Sequence, residues 1–205
     1  MTGGPGGPAV VVRRASADDA VAIARVRNAG WHAAYRDLLP ADVISAVVAD
    51  NGGERMRRAF AGQPWRTTLL AEAVPGGEDE AARGTATPAA RAVGFASFGP
   101  ERDPSQPLGS DTLPPPAGTA AELYSLYVAP AWWSAGVGRR LLATVTGLVA
   151  AQNYRTISLW VLAGNERARR FYERAGFTAT GEHQAPGWLA GAGEVRYRRP
   201  LPGAR

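Results

Sequence analysis

The most informative stretch of the chain is VAPAWWSAGVGRRLL, residues 128–142, in which an apolar run ends, a turn follows and a glycine pair opens a new helix. The first turn of a helix has unpaired N–H groups and a positive dipole end. Gly136 and Gly138 lack the Cβ that would keep a ligand away from the backbone. Arg139 and Arg140 add positive charge at the same end. The stretch therefore predicts a site for an anion, such as a diphosphate, at the start of this helix.

The flanking segments predict a strand–helix–strand unit. The run AELYSLYVA at 121–129 is typical of a strand. Apolar residues then recur every three or four positions from Val137 to about Ala151, which predicts an amphipathic helix. The run TISLWVL at 156–162 is apolar throughout, as in a parallel strand that is buried on both faces. A unit of this kind joins two parallel strands through a right-handed crossover.

A glycine pair alone is a weak signal, and two other interpretations stay open at this point. A dinucleotide-binding fold needs a third glycine three residues after Gly138, and that position is Leu141, in the apolar stripe of the helix. A dinucleotide site is therefore not expected. A tight turn between a strand and a helix, with no ligand, also fits this stretch.

Composition excludes several kinds of site. The 205 residues include no cysteine, no lysine and two histidines. Disulfides, thiolate catalysis, Schiff-base lysines and cysteine- or histidine-rich metal sites are thereby excluded, and no metal is expected. No apolar run approaches the roughly 18 residues of a membrane span, and the N-terminus lacks a signal-peptide pattern. We therefore expect a soluble cytoplasmic protein.

Arginines dominate the charge of the chain, which is formally +5. Eleven of them lie between Arg139 and Arg205, which would suit an anionic ligand or nucleic acid. A solvated, arginine-biased surface is the simpler explanation. Because no arginine–aromatic array typical of nucleic-acid-binding folds is present, a nucleic-acid partner is not expected.

A second motif, NERARRFYERAGF at 165–177, follows the second strand. Together with 128–142 it resembles the two core motifs of the GNAT superfamily of N-acetyltransferases. The first of these has the form Gln/Arg-x-x-Gly-x-Gly/Ala, and the second Asn-x-x-Ala-x-x-Phe-Tyr-x-x-x-Gly-Phe. The second motif is matched here by Asn165, Ala168, Phe171, Tyr172, Gly176 and Phe177. The resemblance covers about residues 9–201 and includes an aromatic turn, GWHAAYRDLLP, near the N-terminus.

The first motif departs from the family at two positions. Trp133 stands where the family has Gln or Arg, and Ser134 stands where a glycine usually follows. An indole cannot make the same polar contacts, whereas the backbone amides after it do not depend on the side chain. The departure leaves the strength of diphosphate binding open.

The resemblance implies an α+β fold. We expect a mixed, mostly antiparallel sheet of six to seven strands with one splayed parallel pair, flanked by about four helices. Residues 9–201 would form a single domain between a flexible N-terminus at 1–8 and a tail at 202–205. The segments 75–90 and 100–118 are predicted to be long loops.

The resemblance also implies acetyl-CoA as co-substrate. Its pantetheine arm would pair with the strand at Leu126, Tyr127 and Val128, and its diphosphate would bind the amides of the glycine turn. The full set of predicted donor-binding residues is Leu126, Tyr127, Val128, Ser134, Ala135, Gly136, Val137, Gly138, Arg139 and Asn165.

Catalytic roles follow from the same resemblance. Tyr172 would give a proton to the leaving thiolate. Glu122 is the first candidate base, because residues at even offsets on a strand share a face and Glu122 lies six residues before Val128. His32 or a water molecule are the alternatives. Trp31, His32 and Tyr35 would form the acceptor site, in which aromatic rings suit an ammonium or an apolar group.

The leading hypothesis is therefore acetyl transfer to a primary amine of a small molecule or protein. The alternative is a non-catalytic acyl-CoA-binding or regulatory module that keeps the same cleft. The sequence does not identify the acceptor, and it leaves a homodimer, common in this family, undecided.

Overall fold

The computed structural model describes residues 9–74, 91–102 and 119–202. The predicted flexible N-terminus at 1–8, the loops at 75–90 and 103–118, and residues 203–205 of the tail lie outside this range. The single-domain interpretation of 9–201 stays a prediction.

Within these ranges, seven strands form one sheet in the order β1-β2-β3-β4-β5-β7-β6. The strands are β1 (Ala9–Arg14), β2 (Thr67–Val74), β3 (Arg91–Pro100), β4 (Ala120–Val128), β5 (Thr156–Leu162), β6 (Thr178–Gln184) and β7 (Glu194–Pro200). Every neighbouring pair is antiparallel except β4 and β5, which are parallel. The predicted α+β fold with a mixed, mostly antiparallel sheet is confirmed.

Five α-helices occur in the described ranges, against about four expected. They are α1 (Ala20–Tyr35), α2 (Ala41–Val48), α3 (Glu54–Gly62), α4 (Val137–Ala151) and α5 (Glu166–Arg174). One face of the sheet packs on α4 and α5 through a core that includes Leu141, Val145 and Tyr172. The other face packs on α1, α2 and α3 through Ile23, Ile44 and Met56. None of these helices is long and apolar enough to cross a membrane.

The parallel pair separates soon after it begins. Only three residue pairs join β4 to β5, ending with Glu122 opposite Ser158. On its other edge β5 pairs with β7 along its whole length, from Thr156 to Leu162, and the other edge of β4 pairs with β3. A wedge-shaped gap therefore opens between β4 and β5, as the resemblance implied.

Strand β4 contains one extra residue at the point where the gap opens. Ser125 lies opposite Ser97, but Leu123 lies opposite the next residue, Phe98, so no residue of β3 lies directly opposite Tyr124. A bulge of this kind shifts the alternation of side chains between the two faces. Leu123 and Val128 consequently pack on the same face, that of α4. Glu122, next to Leu123, lies on the opposite face, so the expectation that it shares a face with Val128 is wrong.

Candidate active site

A cleft of about 1040 Å³ follows the gap between β4 and β5 and continues to both faces of the sheet. On the α4–α5 face it reaches the glycine turn, and on the α1 face it reaches an aromatic cluster. The predicted residues that line it are Trp31, Tyr35, Glu122, Leu126, Tyr127, Val128, Ser134, Gly136, Gly138, Arg139, Asn165 and Tyr172.

The glycine turn is open where a ligand would approach it. Gly136 has a φ of 82°, and a Cβ added to it would meet no atom within 4 Å. It is the N-cap of α4, and Arg140 is the first residue of the helix whose amide bonds back, to the carbonyl of Gly136 at 3.0 Å. The preceding amides thus lie at an uncapped helix start beside an empty corner. Ala135 and Val137 do not line the cleft with their side chains, and Val137 is buried in the core.

Trp133 takes a different role from the Gln or Arg of the family motif. Its indole Nε1 donates to the carbonyl oxygen of Val128 at 2.8 Å. The guanidinium of Arg167 lies over its ring, 4.4 Å from the centroid, and reaches Ser134 Oγ at 3.4 Å. Trp133 therefore links the end of β4 to the glycine turn and to α5. It lies beside the corner without occupying the space next to Gly136.

One backbone hydrogen bond shows which main-chain groups of β4 point into the gap. The amide of Ala129 donates to Val93 of β3 at 2.8 Å. Since the N–H and C=O groups of successive strand residues point to opposite edges, those of Val128 point into the gap. The carbonyl oxygen of Val128 accepts the hydrogen bond from Trp133, whereas the N–H of Val128 points into the cleft.

Asn165 and Tyr172 lie where α5 meets the cleft. Asn165 Oδ1 accepts from the amide of Ala168 at 3.1 Å and caps the helix. Tyr172 is 8% exposed and packs edge-to-face on Phe171 and Phe177, with centroids 5.1 and 5.7 Å away. Burial raises the pKa of Tyr172 well above its ordinary value, so its hydroxyl keeps its proton at neutral pH.

An aromatic cluster joins α1 to β4 on the other side of the cleft. Trp31 Nε1 donates to the hydroxyl of Tyr127 at 2.9 Å. Tyr35 packs edge-to-face on Trp31 at 4.7 Å, and its hydroxyl lies near the side chains of Tyr127 and Asn165. Burial raises the pKa of Tyr35 and of Tyr127. The cluster thus connects the predicted acceptor helix to the start of α5 through uncharged hydroxyls.

Glu122 is almost fully buried, at 1% exposure, and is held by Arg102. The Arg102 Nε donates to Oε1 at 3.1 Å, the Arg102 backbone amide donates to Oε2 at 3.0 Å, and Nη2 forms a further ion-pair contact. Arg102 also lies over the ring of Tyr124. Both carboxylate oxygens are thus engaged by Arg102, which leaves Glu122 poorly placed to take a proton from a ligand.

His32 is exposed and does not line the cleft. One residue along a helix turns the side chain by about 100°, so His32 faces solvent when its neighbour Trp31 faces the core. Its expected place in the acceptor site is therefore wrong.

Both the sequence and the fold resemble those of known proteins. Residues 62–177, more than half of the chain, match the profile of the Acetyltransferase (GNAT) family. This chain belongs to the GNAT family. A curated relative, the Uncharacterized N-acetyltransferase YuaI of Bacillus subtilis, is 27% identical over 156 residues, which is 76% of this chain and 73% of the relative.

Solved GNAT structures share the fold. A PaiA N-acetyltransferase from Thermoplasma acidophilum, in complex with coenzyme A, is 15% identical with a TM-score of 0.66, over 94% of this chain and 99% of that one. A GNAT protein from Kribbella flavida is 22% identical with a TM-score of 0.60, over 94% and 98% of the two chains. At these identities the likeness establishes the GNAT fold.

Several cleft residues escaped sequence reasoning. Glu194, Gln184 and Trp188 line the cleft from the C-terminal strands and the turn between them. No motif marks them, and only the pairing of β7 with β5 brings them next to the gap. Arg102 was also missed, because it lies at the start of a proline-rich segment that carries no pattern. In the described ranges, no group of three or more His, Asp or Glu side chains is placed to hold a metal ion.

Proposed function

We propose that this GNAT protein is an acetyl-CoA-dependent N-acetyltransferase that transfers an acetyl group directly to a primary amine. The observation that carries the proposal is the gap between β4 and β5, which leads from the open corner at Gly136 to an aromatic pocket at α1. A donor could enter from one face of the sheet and an acceptor from the other, with their reactive ends meeting between the strands.

The donor half of the cleft has groups that fit a coenzyme. The amides of Ser134 and of 136–139 would bind its diphosphate, whereas the Ala135 amide donates to the carbonyl of Trp132 at 3.4 Å. The free edge of β4 from Leu126 to Val128 would pair with its pantetheine arm. Further positive charge at this end comes from the cleft residues Arg139, Arg167, Arg170, Arg174 and Arg199. When bound, the co-substrate supplies an activated thioester. Asn165 would act mainly by holding α5 in position, because its side chain already caps that helix.

Two groups near the gap would assist the transfer. The N–H of Val128 would stabilise the negative charge that develops on the thioester oxygen. Tyr172 would protonate the departing thiolate, since its buried phenol keeps a proton and lines the cleft. Glu122 would support the site by holding Arg102, and a base other than Glu122 or His32 is needed for the amine.

A second candidate function is a donor-binding module without catalysis. The ion pair between Glu122 and Arg102 favours this second function, because the carboxylate on this strand, which often acts as the base in the family, is here bound to an arginine. The two functions differ in turnover and not in donor binding.

The test is a pair of measurements on the wild-type protein. Calorimetric titration with acetyl-CoA measures donor binding, and thiol release in the presence of primary amines measures turnover. Binding together with amine-dependent thiol release supports the transferase, and binding without release on any amine supports the module. Absence of acetyl-CoA binding would overturn both.

A further inference from the structure

The acceptor half of the cleft contains a carboxylate, Glu194, that the sequence motifs do not mark. Glu194 begins β7 and lies opposite Leu162 of β5 and Gln184 of β6. Residues directly opposite each other in a sheet share a face, and Leu162 packs with Trp31 and Leu189 on the α1 face. Glu194 therefore lies on the acceptor face, at the wide end of the gap, and lines the cleft.

Glu194 differs from Glu122 in its partners. Gln184 Nε2 donates to Glu194 Oε2 at 2.6 Å, and among the described residues no other group hydrogen bonds with this carboxylate. No arginine of the described residues forms an ion pair with it. Burial raises the pKa of Glu194; the hydrogen bond from Gln184 and the positive charge of Arg102 lower it by less, and the negative charge of Glu122 adds to the rise. Of the two cleft carboxylates, Glu194 is the one with an oxygen free to meet a ligand.

Aromatic rings stand on the same face. Trp188, in the turn before β7, lies 6.0 Å from Trp31 between ring centroids and is 47% exposed. Trp31 and Trp188 would together present faces to an alkyl or aryl group or to a cation. In the described part of the chain the buried hydroxyl of Ser125 has no hydrogen-bond partner, and it lies on the cleft wall. It is a second polar group ready for a ligand.

Charge divides the cleft into two halves. Among the described residues that line the cleft, five arginines lie toward the donor end, whereas the two acidic residues, Glu122 and Glu194, lie toward the acceptor end. Arg102 is the one cleft arginine on that side, and Glu122 neutralises it. Within the described residues, the acceptor end therefore has one carboxylate without an ion-pair partner, which suits an ammonium, and no unpaired arginine that could meet an acceptor carboxylate.

We propose that Glu194 binds the ammonium group of the acceptor and takes its proton, and that the acceptor is an alkyl- or arylalkylamine with no carboxylate beside the nitrogen. This inference depends on the proposed function. Glu194 removes one proton from R–NH3⁺, and the nitrogen lone pair forms the C–N bond as the C–S bond breaks. The nitrogen loses its second proton to solvent, Tyr172 protonates the thiolate and is reprotonated by solvent, and Glu194 releases its proton, so that one proton is set free for each amide formed.

The first experiment compares matched pairs of acceptors on the wild-type protein by thiol release, for example phenethylamine with phenylalanine and hexylamine with norleucine. We expect each amine to exceed its amino acid by at least about tenfold in kcat/KM. Equal or reversed preference would overturn the acceptor class, as would a protein that binds acetyl-CoA and acetylates none of these amines. Failure to bind acetyl-CoA would instead contradict the proposed function.

The second experiment uses Glu194→Gln, with Glu54→Gln as a matched control at an exposed carboxylate on α3. Glu194→Gln should lower kcat/KM for the best amine about 10²- to 10⁴-fold and remove the acidic limb of its pH profile, while the Kd of acetyl-CoA stays within about twofold. Glu54→Gln should change none of these. Glu194→Asp keeps the carboxylate and should recover part of the activity, with an acidic limb. An unchanged rate and pH profile in Glu194→Gln, or equal losses in the Gln and Asp variants, would overturn the role of Glu194.

Discussion

The indole nitrogen of Trp133 donates a hydrogen bond of 2.8 Å to the carbonyl oxygen of Val128, on the edge of β4 that faces the gap. The bond braces the turn in which Ser134 has a φ of 67° and Gly136 a φ of 82°. Trp133→Phe keeps a ring under Arg167 and removes only this bond. Because a neutral hydrogen bond contributes about 0.5–1.5 kcal/mol, we expect acetyl-CoA to bind about threefold to tenfold more weakly, measured by calorimetry. Trp188→Phe, at the acceptor end, should leave donor affinity unchanged. Tighter binding to Trp133→Phe would mean that the indole competes with the donor for this carbonyl.

The open corner at Gly136 gives a second prediction. Gly136→Ala places a Cβ in the space where the diphosphate should lie and forces a left-handed conformation on an L-residue, at a cost of about 1–2 kcal/mol. Gly191→Ala carries the same conformational cost, since Gly191 has a φ of 83° and an equally open surrounding, but it lies away from the cleft. We expect similar losses in stability by thermal unfolding and a loss of acetyl-CoA affinity of at least about tenfold in Gly136→Ala alone. Equal donor affinity in the two variants would count against the diphosphate site.

Tyr172 gives a third prediction. Tyr172→Phe should reduce kcat at least about tenfold while the Kd of acetyl-CoA stays near that of the wild type, because the phenol acts on the leaving group and not on binding. Burial raises the pKa of Tyr172, so the alkaline fall in the kcat of the wild type should lie above about pH 10, the ordinary range of tyrosine. Tyr154→Phe, outside the cleft, serves as the control. Unchanged turnover in Tyr172→Phe would remove the residue from the mechanism.

The ion pair between Glu122 and Arg102 gives a fourth prediction. Glu122→Gln leaves Arg102, whose side chain is 36% exposed, without its counter-charge. Loss of a fully buried partner costs about 3–5 kcal/mol, and the partial exposure of Arg102 reduces this to about 1–3 kcal/mol in the free energy of unfolding, measured in urea. The kcat/KM profile against pH should keep its acidic limb, in contrast to that of Glu194→Gln. If the acidic limb of the kcat/KM profile were lost in Glu122→Gln, Glu122 would be the base.

Much of the donor half could be predicted from sequence, because local signals determine it. The spacing of apolar residues predicts the bounds of α4, and a short apolar run predicts β5. The two glycines indicate the turn between strand and helix. These features depend on residues close together in the chain. The two motifs together also led to the splayed pair, which the register of β4 and β5 confirms.

The acceptor half could not be predicted, because it depends on register and on contacts between distant segments. Tyr124 has no residue of β3 directly opposite it, and this bulge reverses the face on which Glu122 lies. Nothing in ELYSLYV distinguishes a regular strand from a bulged one. His32 was assigned by its neighbours in sequence, although adjacent helix residues face different directions. Glu194 lies 72 residues after Glu122 in the sequence and joins the cleft only through β7.

The wedge in the centre of the sheet leaves main-chain groups of Leu126 and Val128 without a neighbouring strand. If the pantetheine arm fills that place, the co-substrate completes the architecture as well as supplying the acyl group. The protein should then be most resistant to heat and proteases when acetyl-CoA is plentiful. Its abundance in a cell would in that case follow the supply of acetyl-CoA, even before any amine is acetylated.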